Sequence, residues 1–168
     1  MTRATSLEIG GHCSIARALE AVGERWSLLI VREAVKGRTR FVEFEKILRL
    51  SKAVLADRLE GLVARGVLER GTYREPGHRV RRDYHLTRAG RDLMPVLAGL
   101  STWGDTYMAG DAGPPTLWRH RVTGAHVHVS IVDGHGRPVP FDDIEIVRGP
   151  GARDSADRRS ACSTPTVT

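Results

Sequence analysis

The chain has 168 residues, enough to bury a real core and short enough for one domain with at most a small appendage. Its formal net charge is +6, no apolar run approaches membrane-spanning length, and the start MTRATSLEIGG lacks the apolar core of a secretion signal. These features read as a cytoplasmic protein without membrane contact, and two cysteines, Cys13 and the tail residue Cys162, exclude a disulfide framework.

From His12 to Val22, Ile15, Ala18, Leu19 and Val22 recur at helical spacing and predict a first helix that ends at Gly23. Trp26, Leu29, Ile30 and Ala34 continue a second helical face that stops near Gly37. Phe41, Phe44 and Leu48 give a third. After the break Arg49-Leu50-Ser51, Leu55, Leu59, Leu62 and Val63 give a fourth, capped by Ser51 and closed near Gly66. Arg40 to Arg70 is therefore a helix-turn-helix. Its second helix, about Ser51 to Arg65, turns Ala53, Val54, Asp57, Glu60 and Gly61 away from its core stripe, with Lys52 and Arg58 on the flanks.

Residues 67–73 and 79–86 read as two strands around Glu75-Pro76-Gly77-His78, a β-hairpin placed like a wing after a recognition helix. Thr87 is a cap for a long last helix striped by Leu93, Val96, Leu97, Leu100, Trp103 and Tyr107, with Pro95 expected to kink it. A stripe of that length either closes its own core or packs on a second protomer, and we expect the second. The expected fold class is mainly α with a β-hairpin wing, a homodimer through the N-terminal and last long helices, and a small C-terminal β appendage. Residues 7–110 form the main domain. Gly110-Asp111-Ala112-Gly113-Pro114-Pro115 has the composition of a linker, which we place at 111–117. Residues 118–148 are expected to form a β-hairpin appendage with strands over 125–132 and 144–148, and 149–168 a disordered tail.

Position gives the charges meaning. Between Arg65 and Arg91 there are eight Arg against three acids, just after the helix-turn-helix. A recognition helix fits the major groove of double-stranded DNA with its N-terminal half at the base edges, and a wing brings cations to the flanking backbone. The candidate contacts are Lys52 and Arg58 on the helix, Arg38 and Arg40 before the preceding helix, and Arg74, Arg79, Arg81 and Arg82 on the wing. Ser51 adds a candidate phosphate contact and Val54 a thymine-methyl contact. Asp57 is expected to pair with Arg58 or another Arg, or to accept from a cytosine amine. A dimer would match a pseudo-palindromic operator.

A winged-helix protein-interaction module without sequence-specific DNA binding is the alternative, and the basic wing speaks against it. An enzyme with Cys13 as nucleophile and His12 as base is disfavoured because neighbours on a helix rarely face one another and the sequence offers no orienting or oxyanion motif. No cofactor motif stands out. His120, His126, His128 and His135 do not make a metal site, since His126 and His128 at i, i+2 share a strand face.

The residues resemble the HxlR-type transcriptional regulators, a branch of MarR-like winged-helix proteins. The resemblance covers about Leu7 to Gly104: Cys13-Ser14-Ile15-Ala16-Arg17-Ala18-Leu19, Val22 to Ile30 (VGERWSLLI), Arg40-Phe41, Ser51 with Leu55-Ala56-Asp57-Arg58-Leu59, Gly66-Val67-Leu68, Tyr84-His85-Leu86-Thr87, Gly90 and Trp103-Gly104. It implies a homodimeric DNA-binding repressor or activator, with the first and last helices at the dimer interface. A cavity between the dimer helices and the winged domain is expected to admit a small-molecule effector as a further partner, whose ligand no residue identifies. The chain departs from the pattern in three ways. Ser14 stands where many relatives have Pro, the turn Arg49-Leu50-Ser51 lacks a small residue before Ser51, and Gly61 sits inside the recognition helix at about 1 kcal/mol relative to Ala. Some close relatives also carry cysteines in the appendage where this chain has Thr123, Val132 and His135. In some relatives a cysteine at position 13 senses quinones, aldehydes or oxidants; here a helix N-terminus with His12 and Arg17 nearby favours thiolate. Burial at the dimer seam as a small hydrophobe is the other reading of Cys13.

Overall fold

A computed structural model describes residues 13–108 and 110–150. The expected tail from 151 onward, Cys162, His12 and the start of the chain lie outside the described residues. Helices α1 (Ser14–Val22), α2 (Arg25–Val35), α3 (Phe41–Leu48) and α4 (Lys52–Ala64) precede strands β1 (Leu68–Tyr73) and β2 (Arg81–Leu86), then α5 (Arg88–Arg91) and α6 (Met94–Tyr107). Among the described residues no helix is long and apolar enough to cross a membrane.

The core gathers one stripe from each element: Ile30 and Val31 of α2, Phe44 and Leu48 of α3, Leu55, Leu59 and Leu62 of α4, Leu68 and Tyr84 of the strands, and Leu97 of α6. The helical spacing of those residues makes the elements, because only that periodicity sends each side chain to the same interior. Ser51 accepts the Val54 N–H at 3.3 Å as the α4 cap, and Gly66, at φ +70°, lets the chain leave that helix. In the turn between α3 and α4, Arg49 adopts the left-handed conformation (φ 52°) without being glycine, which strains the turn by about 1–2 kcal/mol.

The strands pair antiparallel from Leu68↔Leu86 to Tyr73↔Arg81. The second strand begins at Arg81 rather than Arg79. Pro76 and Gly77 (φ +76°) occupy the two middle positions of the turn closed by His78 N–H to the Glu75 carbonyl at 3.0 Å, as a type II turn requires. The segment before α3 joins the sheet edge: the Tyr84 N–H donates to the Thr39 carbonyl at 2.8 Å, and Arg40 bridges Asp83.

Two expectations are corrected after β2. Thr87 caps the short α5, accepting the Gly90 N–H at 3.1 Å, and not the long helix. Pro95 sits in the first turn of α6, where its missing N–H has no intrahelical partner to lose, so the helix starts there instead of kinking. Gly90 is required by close approach, since a Cβ there would lie 2.2 Å from the Val67 carbonyl oxygen.

In the appendage the expected strands over 125–132 and 144–148 are absent as regular strands. Isolated bridges instead join Arg119 to His126 and Val132 to Pro138, and the described chain ends after a single 3-10 turn, Phe141–Asp143. Short turns explain this. Asp133 accepts the backbone N–H groups of His135 (2.8 Å) and Arg137 (3.0 Å), so the chain reverses too tightly for a long ladder. Those bonds, first that of the Arg137 N–H, hold the Asp133 carboxyl below its ordinary range. Trp118 packs against the main core, and a cleft of about 320 Å³ remains between the appendage and α6.

Glu43 holds the entry to α3. Its carboxylate accepts the N–H groups of Arg40 (2.8 Å) and Thr39 (2.9 Å), which lower its pKa below the ordinary 4.5. Arg40 has no side-chain acceptor to return the bond, so this is half a capping box. The carboxylate's contribution is complete above the unfolded pKa near 4.5 and disappears as pH falls through the lower folded value. Glu43→Gln is therefore expected to be less stable than the parent at pH 7, with the gap closing on acidification below pH 4.5. Denaturant unfolding across pH 3–7 checks this, and a gap independent of pH contradicts it.

Candidate nucleic-acid interface

The first turn of α4 carries Ser51, Lys52, Ala53 and Val54, all exposed. Their exposure follows from the helical period, because Leu55 and Leu59 take the inward positions. Ser51 uses its hydroxyl oxygen as a cap acceptor and keeps its O–H free to donate. Val54, 39% exposed, presents an apolar surface on the same turn.

Arg74, Arg79, Arg81 and Arg82 are exposed on the hairpin. Arg74 donates within its own loop, Nε to the His78 carbonyl at 3.3 Å. Arg82 faces Thr72 and Arg81 faces Tyr73 in the register, so the two guanidinium groups leave on opposite faces of β2. With the free front of α4, they make one cation-bearing assembly of helix and wing.

The other three candidates are tied into the protein. Arg38 pairs with Glu33, a side chain only 2% exposed that also meets Arg32 Nε at 2.7 Å and Lys36 at 3.6 Å. Arg40 lies over the Tyr73 ring at 4.3 Å and reaches Glu75 at 2.6 Å, clasping the start of α3 to the wing. Arg58 meets Asp57 at 3.4 Å, as expected for Asp57, and Glu24 at 3.6 Å. Its Nε is buried with no hydrogen-bond partner.

Two residues outside the sequence-based candidates shape this surface. Glu33 organises three cations, and its signal was an acid beside the apolar Ile30, Val31 and Ala34 of one helix. Arg49 is exposed at the turn just before α4, and nothing in the sequence announces its left-handed backbone.

Cys13 is half-buried with a free thiol at the N-cap of α1, and its side chain makes no capping bond. Arg17 donates to the Ser14 hydroxyl at 3.1 Å. In the appendage, His120 Nδ1 accepts the Thr123 N–H at 3.2 Å, and His126, His128 and His135 are exposed; among the described residues no cluster of ligating side chains could hold a metal ion.

A family model described as HxlR-like helix-turn-helix matches residues 21–112. The HTH-type transcriptional regulator MT3179 of Mycobacterium tuberculosis (strain CDC 1551 / Oshkosh) is 39% identical over 139 residues, which cover 82% of this chain and 87% of that protein. The crystal structure of PA1607 superposes with a TM-score of 0.73 at 36% identity, covering 86% of this chain and all of the other. The redox regulator HypR in its oxidised form gives a TM-score of 0.53 at 26% identity, covering 58% of this chain and all of HypR. The family model spans the helices, the turn and the wing that make up the interface, and the chain belongs to the HxlR-like helix-turn-helix family.

Proposed function

We propose that the protein is a cytoplasmic, homodimeric transcriptional repressor that binds a pseudo-palindromic double-stranded DNA operator and acts by binding, without catalysis. The observation that carries this reading is the exposed first turn of α4 joined to a hairpin on which Arg74, Arg79, Arg81 and Arg82 are exposed. Ser51, Lys52 and Val54 meet the major groove, and Arg74, Arg79 and whichever of Arg81 and Arg82 faces the duplex meet phosphates. Arg38 and Arg40 act mainly by fixing the angle of α3 and the wing.

The dimer reading rests on apolar surface. Ile15 and Leu19 of α1 are 71% and 57% exposed, and Val96, Leu100, Trp103 and Tyr107 of α6 are all exposed, although both helices have core-like spacing. A second copy covering these faces accounts for residues that the single chain leaves in water. Two DNA half-sites need two such heads.

Cys13 lies at the start of α1, within reach of that interface. HypR is a redox regulator, and the half-buried free thiol supports a like role here, in which modification of Cys13 changes the packing of the dimer helices and so the DNA affinity.

In a mobility-shift assay on the DNA upstream of the coding sequence, the protein is expected to bind in a sequence-dependent, salt-sensitive way. Arg79→Ala should weaken binding about equally across sequences and reduce the slope of log affinity against log salt by about 1. Equal binding to unrelated duplexes, or none, overturns the reading. Trp103→Glu should shift the molecular mass in solution from dimer to monomer with the helix content kept; light scattering coupled to gel filtration checks it. Diamide or a quinone should change the operator affinity of the parent and leave Cys13→Ser unchanged, and an equal response from both rules the sensor out.

A further inference from the structure

Between His126 and Val132 the appendage chain makes no turn, and only one of its two edges is used. Ala125 accepts the His120 N–H at 2.8 Å and Val127 donates to the Trp118 carbonyl at 3.0 Å. Farther along, Ile131 accepts the Val139 N–H at 2.8 Å and Asp133 donates to the Arg137 carbonyl at 2.9 Å. These are alternate positions. Successive residues of an extended chain turn their backbone N–H and C=O to opposite edges, so the other edge belongs to His126, His128, Ser130 and Val132. None of those four makes a backbone hydrogen bond among the described residues; the bridges Arg119↔His126 and Val132↔Pro138 are closed by the groups of their neighbours. Every residue from Arg121 to Val132 is exposed.

Open strand edges in monomeric proteins are guarded by charged side chains or proline. This one has neither, for Ala125 to Val132 contains no Lys, Arg, Asp, Glu or Pro. Its Val127, Val129, Ile131 and Val132 are between 42% and 52% exposed. A fitting partner therefore brings an edge of its own, no formal charge, and branched apolar side chains. The same segment of a second copy meets all three conditions. A two-fold axis lays the edge antiparallel on itself, and the register centred on Val129 uses every free group: His126 opposite Val132, His128 opposite Ser130, and Val129 opposite Val129. Val127 then meets Ile131 on the same face, which makes a continuous row of β-branched pairs across the two chains. Residues 144–147 of a partner would cover only part of the edge and bring the charge of Glu145 against its valines.

We propose that His126 to Val132 is a self-association surface, whose partner is the same segment of another copy paired antiparallel about Val129. The appendage sits against Met94, Ala98 and Thr102 of α6, and helical spacing puts the exposed Val96, Leu100 and Trp103 on the other side of that helix. The edge is thus separate from the helix interface proposed above, and it joins one such dimer to the next. Its few residues make it the weaker contact, filled as protein concentration rises.

Val129 opposite Val129 is a non-hydrogen-bonded pair, with Cα atoms about 4.5 Å apart and so within disulfide reach. In the full chain carrying Cys13→Ser and Cys162→Ser, Val129→Cys should link two chains under mild oxidation. Val122→Cys, at a position 87% exposed outside the edge, should link at least tenfold more slowly. Sedimentation equilibrium of the parent should show the mass rising with concentration beyond that of the dilute species. Ser130→Pro, which removes an N–H from the free edge alone, should abolish the rise with helix content kept. Equal linking at positions 129 and 122, or a mass that does not rise in the parent, overturns the surface. Trp103→Glu separates the two interfaces: it should lose the dimer at low concentration and keep the Val129→Cys link. Loss of that link in Trp103→Glu overturns the edge as a separate surface, whereas a Trp103→Glu chain that changes neither mass nor link overturns the helix dimer and leaves the edge standing.

Discussion

The short stretch Thr39-Arg40 is bonded in two directions at once, and the relation of wing to helix pair depends on it. Its backbone N–H groups are held by Glu43 at the start of α3, while the Thr39 carbonyl takes the Tyr84 N–H from β2. The Arg40 side chain then lies on Tyr73 and pairs with Glu75 across the hairpin. Exposed ion pairs contribute little alone, about 0–1 kcal/mol. Here a backbone ladder, a stacked ring and an ion pair restrain the same residue, so the hairpin cannot pivot without breaking all of them. Helix α4 packs into the same core through Leu55, Leu59 and Leu62, beside the Leu68 and Tyr84 that anchor the hairpin.

Arginines in this chain divide into two jobs that composition does not separate. Some are structural cations: Arg38 answers the buried Glu33, Arg40 clasps the wing, and Arg70 pairs with Glu60 between β1 and α4. Others stay in water. Burying Glu33 is tolerable only because several cations and their donors surround it, since an uncompensated buried carboxylate would be costly. The exposed set on the hairpin has no comparable anion among the described residues, which leaves its field directed outward.

Both ends of the main domain show apolar side chains without a cover. α1 buries only Val22 and α6 only Leu97, yet each carries a full stripe. The appendage covers part of α6 through the neighbourhood of Trp118, leaving Trp103 and Tyr107, whose tilted rings have centroids 5.6 Å apart, exposed. The interior of the chain is finished by its own residues, and its outer helices are not.

Most of the local architecture was legible in the sequence because it obeys short-range rules. Helical spacing located α1 to α4 and the stripe of α6, Ser51 and Gly66 marked the ends of the reading helix, and Pro76-Gly77 fixed the hairpin turn. The order of those elements, with the arginine excess after them, was enough to find the candidate DNA-binding surface. Tertiary structure alone decided which charges remain available on it, because Glu75 and Glu24 lie far in sequence from the Arg40 and Arg58 they meet. It also decided the break between α5 and α6 and the short bridges of the appendage, where turn hydrogen bonds prevail over alternating hydrophobicity. Periodicity records which face of an element is apolar. Only the packed chain determines whether that face, or that guanidinium, has already found its partner.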